Sequence, residues 1–417
     1  MAQLSDDCFA FGGTLLSVDA ALALVAERVT PVVGEESVKL ADAAGRILAH
    51  DLIAAINVPP HANSAVDGYA LAHADLLPDR DTVLPVTGRA AAGHPLGRGV
   101  ERGEAIRIFT GAPMPDGADT VMMQEDCVLA GGEVTLKPGI KQGANRRHAG
   151  EDVEQGSVAL PAGRRLKPAD LGLAASLGHD RLTVRQRLRV ALLSTGDEVR
   201  DPGNTLPPGA IYDANRIMLA SLLQGLGCRV SDLGIRPDRE AALADTLIAA
   251  AKEHDLIVTS GGVSTGEEDH VRAAIERLGR LDFWRLAIKP GRPVALGQVK
   301  GVPLIGLPGN PVAAALTFAI LGRPLILRLA GAAAEAPALF RVRAEFAYKK
   351  RPGRREYVRA SLQRDGDTVT AHKYPKDGAG ILSSIVRSDG FVVIDEAADG
   401  LAPGAMVDFL PYAEVIE

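Results

Sequence analysis

VALLSTGDE (residues 190–198) and LIVTSGGVSTG (residues 256–266) are the two stretches that decide the fold of this 417-residue chain. Each begins with a short, continuous apolar run, which is typical of a parallel strand buried on both faces of a sheet. Each run then passes into small residues, with carboxylates close behind them. Because two helical patterns lie between the runs, the sequence predicts a βαβαβ unit in a doubly wound α/β domain over residues 182–330.

Three further regions complete the predicted architecture, which is multidomain α/β plus β. Helical patterns predict a discontinuous helical N-terminal domain at residues 1–56 and 146–181. Short strands separated by Gly and Pro turns predict an inserted β-barrel-like module at residues 57–145. Alternating apolar runs after a change in composition predict a C-terminal β domain at residues 336–417.

Several individual elements are predicted within these regions. Ser17 is expected to cap a first helix, and a second short helix is expected at residues 42–48. In the α/β domain, Asn215 is expected to cap a helix and residues 283–288 to form one strand. Pro311 is expected to begin a long apolar helix.

The composition is that of a soluble globular protein, with 47% hydrophobic and 24% charged residues. A formal net charge of −6 argues against a protein whose main role is to bind nucleic acid. Cys8, Cys127 and Cys228 lie far apart, so neither a disulfide framework nor a zinc knuckle is indicated. With no basic leader and no uninterrupted apolar run of about 20 residues, we expect a cytoplasmic protein that is not embedded in a membrane.

The first loop, Thr195-Gly196-Asp197-Glu198, follows a strand at the edge where open α/β sheets bind ligands. A tight turn with a locally capping Asp is the alternative interpretation of four residues of this kind. Asp213, just before a helix, and Asp238, after the next strand, favour a ligand site, because acids at successive strand or helix boundaries lie on one rim of the sheet.

The second loop is rich in glycine and lets backbone N–H groups approach an oxyanion. It lacks the Gly-Lys-Ser/Thr ending of a P-loop. Glu267, Glu268 and Asp269 follow it at once. These carboxylates either cap a helix or hold Mg²⁺ on phosphate oxygens, and the sequence leaves both open.

Arg285, Lys289 and Arg292 place three cations near a turn in an otherwise apolar stretch. Charges at strand ends are usually only solvated, but an anion of high charge density needs Lys or Arg beside a metal. The nine histidines show no metal-ligand spacing and no pairing with a nucleophile.

Seven short motifs follow one another along nearly the whole chain. They occupy residues 63–70, 110–115, 150–152, 194–198, 260–266, 287–291 and 307–311. In this order they resemble the molybdopterin molybdenumtransferase family, known as MoeA in bacteria and as the E domain of gephyrin in animals. The chain departs from the family at Val66, where Met is frequent, and at Arg285 and Arg292, where Lys is frequent.

The resemblance implies a molybdopterin-binding-like α/β domain among four domains, and a homodimer. It also implies a reaction in which adenylylated molybdopterin and molybdate give molybdenum cofactor and AMP, assisted by Mg²⁺. In the family the active cleft lies between the α/β domain of one subunit and the β module of the other. Asp67 and Thr110 are therefore expected to reach the site from the second subunit.

The resemblance also assigns residues. Family positions that affect activity are matched by Glu198, Asp238, Asp269, Asp67, Thr110, Asp152, Lys289, Pro308 and Pro311. Binding contacts are expected from Ser194, Thr195, Gly196, Asp197, Asp213, Ser260, Gly261, Gly262, Ser264, Gly266, Arg285, Arg292, Pro308, Gly309, Asn310, Pro311 and either Ser383 or Ser384. Mg²⁺ is expected on Asp269, Glu198 and Asp238, and molybdate beside the three cations of residues 285–292.

Two other functions fit parts of the same pattern. A molybdopterin adenylyltransferase shares the α/β domain, but the β module and the C-terminal β domain argue against it. A non-catalytic dimeric scaffold would keep the fold, but the complete set of acids argues against it. Other proteins of cofactor biosynthesis are further expected partners.

Overall fold

The computed structural model describes residues 15–237, 239–261 and 270–416. Its central sheet has six strands, in the order Arg229–Arg236, Arg189–Thr195, Leu256–Ser260, Val302–Leu307, Pro293–Val299 and Gly279–Arg285. The first four run parallel to one another. Pro293–Val299 is antiparallel to both of its neighbours, so Gly279–Arg285 at the edge again runs in the direction of the first four. The sheet predicted as doubly wound is therefore mixed, because the last three strands follow one another through connections too short for a parallel crossover.

Helices cover both faces of this sheet. On one face, Leu219 and Leu316 pack against the strands; on the other, Leu247 and Ile275 do so. Full burial of one such side chain contributes about 2 kcal/mol, so the sheet is held from both sides. The helices of the domain are Ala214–Gly225, Glu240–Glu253, His270–Leu278, Pro311–Thr317 and Arg323–Leu329.

The last two of these helices are joined by one π-helical turn, Phe318–Gly322. Pro324 follows this turn. Proline has no N–H group to donate to the preceding turn of a helix, and the wider π-helical turn is compatible with that missing hydrogen bond. The whole helix, Pro311–Leu329, is long and apolar enough to cross a membrane by length and composition, but 78% of its most apolar window is buried inside the protein. It is therefore a core helix of the α/β domain.

The N-terminal region begins with the helix Val18–Arg28, in which Ser17 Oγ accepts from Ala20 N at 3.2 Å, as predicted. This helix packs against Arg323–Leu329 of the α/β domain. The helix predicted at residues 42–48 is wrong. Only the 3₁₀ turn Leu40–Asp42 forms, because the backbone of residues 45–48 pairs with segments near residues 165 and 184, and these tertiary contacts override local propensity.

Two small antiparallel sheets tie together the segments that precede and follow the β module. Glu35–Lys39 pairs with Arg181–Arg185, and Leu52–Ile53 pairs with Val158–Leu160. The helix Pro168–Ser176 packs on the apolar cluster between them. The N-terminal region is thus mixed α and β rather than purely helical.

The β module is a six-stranded sheet with two small cores. Its order is Thr120–Met123, Gly68–Leu71, Ala105–Ile108, Thr82–Ala90, Glu133–Leu136 and Cys127–Ala130, and the two outer strands are not hydrogen-bonded neighbours. The barrel-like module thus has an open sheet. The short strand Asn63–Ser64 of the module pairs with Arg146–Arg147, which directly follow the module, and the module also contains the 3₁₀ turns His73–Asp75 and Gln124–Asp126.

Glu104 is a buried acid of this module. Its carboxylate accepts from Arg98 Nη1 at 2.5 Å, from Thr87 Oγ1 and from Glu101 N at 2.7 Å. The Arg98 hydrogen bond is the largest of the effects that lower the Glu104 pKa to about 2. A carboxyl whose pKa is depressed on folding stabilises the fold above its unfolded pKa, and the gain is lost as pH falls toward the folded pKa.

We therefore expect Glu104→Gln to lower the melting temperature at pH 7. The difference from the unsubstituted protein should shrink as pH falls from about 4.5 toward about 2. Thermal unfolding followed at several pH values measures this, with the exposed neighbour Glu101→Gln as the control. A melting difference that does not change with pH would show that the Glu104 charge is unimportant.

The C-terminal domain is a closed five-stranded barrel. Its strands are Phe340–Ala344, Arg355–Asp365, Thr368–Lys373, Gly390–Ile394 and Met406–Pro411, and each is paired with two others of the set. Closure removes the exposed strand edges of an open sheet. Smaller elements near it are Tyr348–Lys349 paired with Gly400–Leu401, and the helices Ser383–Val386 and Tyr412–Val415.

One segment leaves the central sheet and joins the barrel. The single strand predicted at residues 283–288 is wrong: Gly279–Arg285 belongs to the central sheet, whereas Ile288–Lys289 pairs with the barrel strand Arg355–Asp365. Between them, Leu286 forms a bridge with Leu16. Lys289 therefore lies at the junction of the α/β domain and the barrel.

Candidate active site

A cavity of about 230 Å³ opens at the carboxyl ends of the parallel strands. We call it the strand-end cavity. It is lined by Ser194, Thr195, Glu198, Val199, Ile211, Tyr212, Asp213, Ala214, Asn215, Ser260, Gly261, Gly309, Pro311 and Gly380. Eight of the predicted site residues are among these, so the predicted edge of the sheet does carry a cavity.

Two hydroxyls of this lining have no hydrogen-bond partner in the described part of the chain. Ser194 is 2% exposed and Thr195 4%, yet neither Oγ nor Oγ1 is bonded. Buried polar atoms are almost always paired, so an unpaired one in a cavity wall points to a ligand or water. A ligand with acceptor oxygens would satisfy both hydroxyls.

At this edge of the sheet, two glycines lie unusually close to neighbouring protein atoms. Gly261 has φ +83°, and a Cβ there would lie 2.9 Å from the carbonyl oxygen of Thr195. Gly196 has φ +140°, and a Cβ there would lie 2.7 Å from Glu198 Oε2. The Glu198 carboxylate therefore folds over Gly196 at the cavity, in a space that any side chain would fill.

Asn215 does not cap the helix Ala214–Gly225, contrary to the prediction. Asp213 is the cap, and it accepts from Arg216 N at 3.0 Å. The buried Asn215 amide instead donates to Ser260 Oγ at 3.0 Å and to the Gly309 carbonyl at 2.8 Å. One side chain thus holds the two loops that follow neighbouring parallel strands.

The hydrogen bonds of the Asp213 carboxylate are made within its own helix. Its second oxygen accepts from Arg216 Nε at 2.9 Å, and the same buried guanidinium also contacts Asp201 and Asp232. The Asp213 carboxylate thus forms a fixed, buried wall of the cavity, and Arg216 offsets its charge.

The remaining predicted residues of this edge fall into two groups. Asp197 is exposed beside Glu198, Pro308 lies at the end of Val302–Leu307, and Asn310 precedes the helix Pro311–Thr317. Those that lie outside the described residues are Asp238, Gly262, Ser264, Gly266 and Asp269.

A second cavity, of about 500 Å³, lies between the α/β domain and the barrel. We call it the cation cavity, because four of its lining residues, Lys289, Lys349, Arg359 and Lys373, are cations and only Asp377 is an acid. The rest of the lining is Pro290, Ala347, Tyr348, Tyr357, Val358, Tyr374, Gly378 and Ala379. Such a lining suits an oxyanion.

Lys289 is the predicted residue that this cavity contains. Its ammonium donates to Tyr348 Oη at 3.2 Å and to Glu356 Oε2 at 3.1 Å. Burial lowers the Lys289 pKa, but these two hydrogen bonds outweigh burial and hold it above the ordinary value. Lys289 is therefore charged at neutral pH. Arg285 and Arg292 are exposed and do not line the cavity.

The two candidate serines both lie one hydrogen bond behind the cavity wall. Ser384 is fully buried, and its Oγ accepts from Arg359 Nε at 3.0 Å. Ser383 Oγ is 3.4 Å from Tyr374 Oη. The sequence did not predict three residues of this lining, Arg359, Tyr348 and Tyr374. Only tertiary structure brings these barrel residues to the cavity, and the apolar alternation within a strand does not reveal tertiary contacts.

The two cavities share one wall. Residues 377–379 line the cation cavity, and Gly380, the next residue, lines the strand-end cavity. Val312 N donates to the Ala379 carbonyl at 2.9 Å, which fixes this segment to the start of the core helix. The linings of the two cavities are thus continuous along residues 377–380.

Asp67 and Thr110 lie together in the β module. Thr110 donates to Asp67 Oδ1 through both its backbone N and its Oγ1, each at 2.8 Å. The backbone hydrogen bond is the largest cause of a lowered Asp67 pKa. Neither residue lines either cavity of this subunit.

Comparisons with known proteins agree with this arrangement. Family descriptions match three consecutive parts of the chain: "MoeA N-terminal region (domain I and II)" at residues 16–178, "probable molybdopterin binding domain" at 191–328 and "MoeA C-terminal region (domain IV)" at 341–412. The chain is 38% identical over 405 residues to molybdopterin molybdenumtransferase of Haemophilus influenzae, covering 96% of this chain and 100% of the relative. The chain belongs to the molybdopterin molybdenumtransferase family.

Other members of the family are similar over almost the same length. Molybdopterin molybdenumtransferase of Synechococcus elongatus is 34% identical over 406 residues, 94% of this chain and 99% of that relative. A molybdopterin biosynthesis MoeA protein of Pyrococcus horikoshii has a solved structure with a TM-score of 0.82 and 28% identity, covering 96% of this chain and 100% of that chain. The resemblance drawn from the seven motifs is thereby confirmed.

Proposed function

We propose that the chain inserts molybdenum from molybdate into adenylylated molybdopterin and releases AMP. Family membership establishes molybdenum cofactor biosynthesis and the molybdopterin molybdenumtransferase activity. The adenylylated form of the substrate, the metal requirement and the dimer are the parts that we add to it.

The shared wall is the observation that carries this proposal. The cation cavity suits a compact oxyanion such as molybdate, and the strand-end cavity offers two unpaired hydroxyls to a phosphate-bearing ligand. Because residues 377–380 border both, molybdate and the pterin part of a ligand in the strand-end cavity can meet. The two sulfur atoms of the pterin would receive the metal, so no cysteine of the protein is needed.

The protein's own groups bind and orient the substrate. Ser194 and Thr195 hydroxyls would donate to phosphate oxygens, and the missing side chain at Gly261 lets its backbone lie close to the Thr195 carbonyl. Asn215 holds the Ser260 and Gly309 loops at a fixed spacing. Groups placed before the substrate arrives avoid the cost of ordering them during binding.

The residues at the strand-end cavity fit Mg²⁺. Glu198 supplies an exposed carboxylate there, and Mg²⁺ prefers such hard oxygen ligands beside substrate phosphates. We expect Glu198, with Asp238 and Asp269, to hold the ion. When bound, it would neutralise charge on the phosphate oxygens as AMP leaves. The described residues contain no group of three or more His, Cys, Asp or Glu side chains arranged for a metal, but two of these three acids lie outside them.

The working unit in this proposal is a cytoplasmic homodimer. Asp67 and Thr110 are a hydrogen-bonded pair of the β module, and neither lines the two cavities of its own subunit. In a dimer they would complete the site of the second subunit. The domain boundaries predicted from the sequence, and delivery to or from other proteins of cofactor biosynthesis, belong to the same proposal.

The proposal is tested with purified protein, adenylylated molybdopterin and Mg²⁺. Adding molybdate is expected to release AMP, and a Glu198→Gln variant is expected to release it at a small fraction of the rate. Glu253→Gln, at the exposed end of the helix Glu240–Glu253 and outside the cavity lining, is the matched control. Equal rates for Glu198→Gln and the unsubstituted protein would contradict the role given to Glu198.

A further inference from the structure

Glu356 is a buried carboxylate to which the reaction described above gives no role. It lies on the barrel strand Arg355–Asp365, is 1% exposed, and is the direct strand partner of Lys289. Its Oε2 accepts from Lys289 Nζ at 3.1 Å and from Tyr348 Oη at 2.8 Å. Tyr348 Oη in turn lies 3.2 Å from Lys289 Nζ, so the three groups form a closed triangle.

The triangle fixes the direction of the Lys289 ammonium. That ammonium has three N–H donors, of which one goes to Glu356 and one to Tyr348. Lys289 and Tyr348 line the cation cavity, whereas Glu356 lies behind them, and the Lys289 side chain is still 49% exposed. The third N–H is therefore the donor that remains for a ligand in the cavity.

Tyr348 holds a second cation of the same cavity. The Lys289 ammonium lies 5.6 Å from the centre of the Tyr348 ring, and the Lys373 ammonium lies 5.8 Å from it. Both lie within the range in which a cation is attracted to an aromatic ring. Lys373 is also bonded to Asp377, on the wall that the two cavities share.

We infer that Glu356 is a positioning residue which, with Tyr348, aims Lys289 at the oxyanion in the cation cavity. This rests on the proposed function, in which that oxyanion is molybdate. A lysine side chain has many rotamers, and holding it in one of them before the ligand arrives lowers the cost of binding. A buried ion pair is by itself a weak source of stability, so a positioning role accounts better for its place behind the cavity wall.

Two effects of Glu356 on an anion have opposite signs. Positioning Lys289 strengthens binding, whereas the negative charge of the carboxylate opposes it. Glu356→Gln removes the charge but keeps an oxygen that can accept from both Lys289 and Tyr348. Glu356→Ala removes both. The pair of variants therefore separates position from charge.

Steady-state kinetics with the full-length protein tests the inference. We expect Glu356→Ala to raise the KM for molybdate about tenfold, with kcat and the KM for adenylylated molybdopterin within about twofold. Glu356→Gln should keep the molybdate KM at or below that of the unsubstituted protein. Tyr348→Phe, which removes one acceptor of the triangle, should raise it about threefold. Asp408→Asn, which breaks the barrel's Arg341 ion pair away from the cavity, is the matched control.

The outcomes distinguish the inference from the function beneath it. If Lys289→Ala raises the molybdate KM but Glu356→Ala does not, the positioning role is wrong and the proposed function stands. Decreases in both Glu356→Ala and Glu356→Gln also overturn it, because the charge of Glu356 would then outweigh its effect on the position of Lys289. Equal increases in both overturn it too, because the hydrogen-bond acceptor that Gln keeps would then not be what positions Lys289. If Lys289→Ala leaves the molybdate KM unchanged, the cavity does not bind molybdate and the proposed function fails there.

A second pair of variants decides if Glu356→Ala does not fold. An unchanged molybdate KM in Tyr348→Phe, or an increased molybdate KM in Glu356→Gln, then overturns the inference.

Discussion

Replacing Lys289 with Ala is expected to lower kcat/KM for molybdate about 100-fold, because a charge-assisted hydrogen bond in a partly buried site contributes about 2–3 kcal/mol. Lys289 is the predicted cation that lines the cation cavity, and its pKa is held above the ordinary value. It therefore stays charged throughout the neutral range. The loss should be in molybdate affinity, since the proposed function places the substrate phosphates in the strand-end cavity.

Lys289→Arg tests whether charge alone is sufficient. It keeps the positive charge but presents a longer, planar fork in place of a compact ammonium, so the geometry of the Tyr348 and Glu356 contacts changes. We expect an intermediate loss, with the KM for adenylylated molybdopterin changed less than about twofold in both variants. Lys252→Ala, at the exposed end of the helix Glu240–Glu253, controls for loss of a surface charge. Full activity in Lys289→Ala would place molybdate elsewhere.

The second large effect concerns the shared dimer site. Asp67→Asn and Glu198→Gln are each expected to lose most AMP release as homodimers, because the proposed function places both carboxylates in one composite site. When the two variants are mixed and re-associated, half of the dimers become mixed dimers. If Asp67 of one subunit serves the Glu198 site of the other, each mixed dimer has one intact site and one doubly altered site, so activity returns to about a quarter of the full value.

A site formed within one subunit predicts a different activity for the mixed dimers. If Asp67 acts in the same subunit as Glu198, no mixed dimer has an intact site, and activity stays at the level of the separate variants. Mixing Asp67→Asn with Thr110→Val is the control, because those two residues are hydrogen-bonded in one module and their mixture should show no recovery. Recovery there would indicate exchange or refolding artefacts rather than shared sites.

The sequence predicted those residues whose position follows from a single strand. Ser194, Thr195 and Ser260 end buried parallel strands, and the edge of a sheet at which such strands end is fixed by their direction. The mixed character of the sheet was not predicted, since Gly279–Arg285 and Pro293–Val299 have apolar patterns that do not reveal strand direction. Local apolar periodicity identifies a strand but not its partner.

Residues brought in by tertiary contacts were not predictable. Tyr348 and Arg359 line the cation cavity beside Lys289, and Glu356 contacts Lys289 from behind it, only because Ile288–Lys289 leaves one sheet and pairs with another. The wrong prediction for Asn215 has the same origin. Its side chain could cap a helix, but in the fold it donates hydrogen bonds to Ser260 and Gly309. Asp213 caps the helix instead. Only the folded chain determines which of two available hydrogen bonds forms.

The most direct test of the central claim is the ratio of molybdenum inserted to AMP released. Purified protein, adenylylated molybdopterin and Mg²⁺ are incubated with and without molybdate, and both pterin-bound molybdenum and AMP are measured over one turnover. We expect one AMP to be released for each molybdenum atom inserted, and little AMP to be released without molybdate. AMP released at the same rate without molybdate, or molybdenum inserted while AMP stays attached, would contradict it.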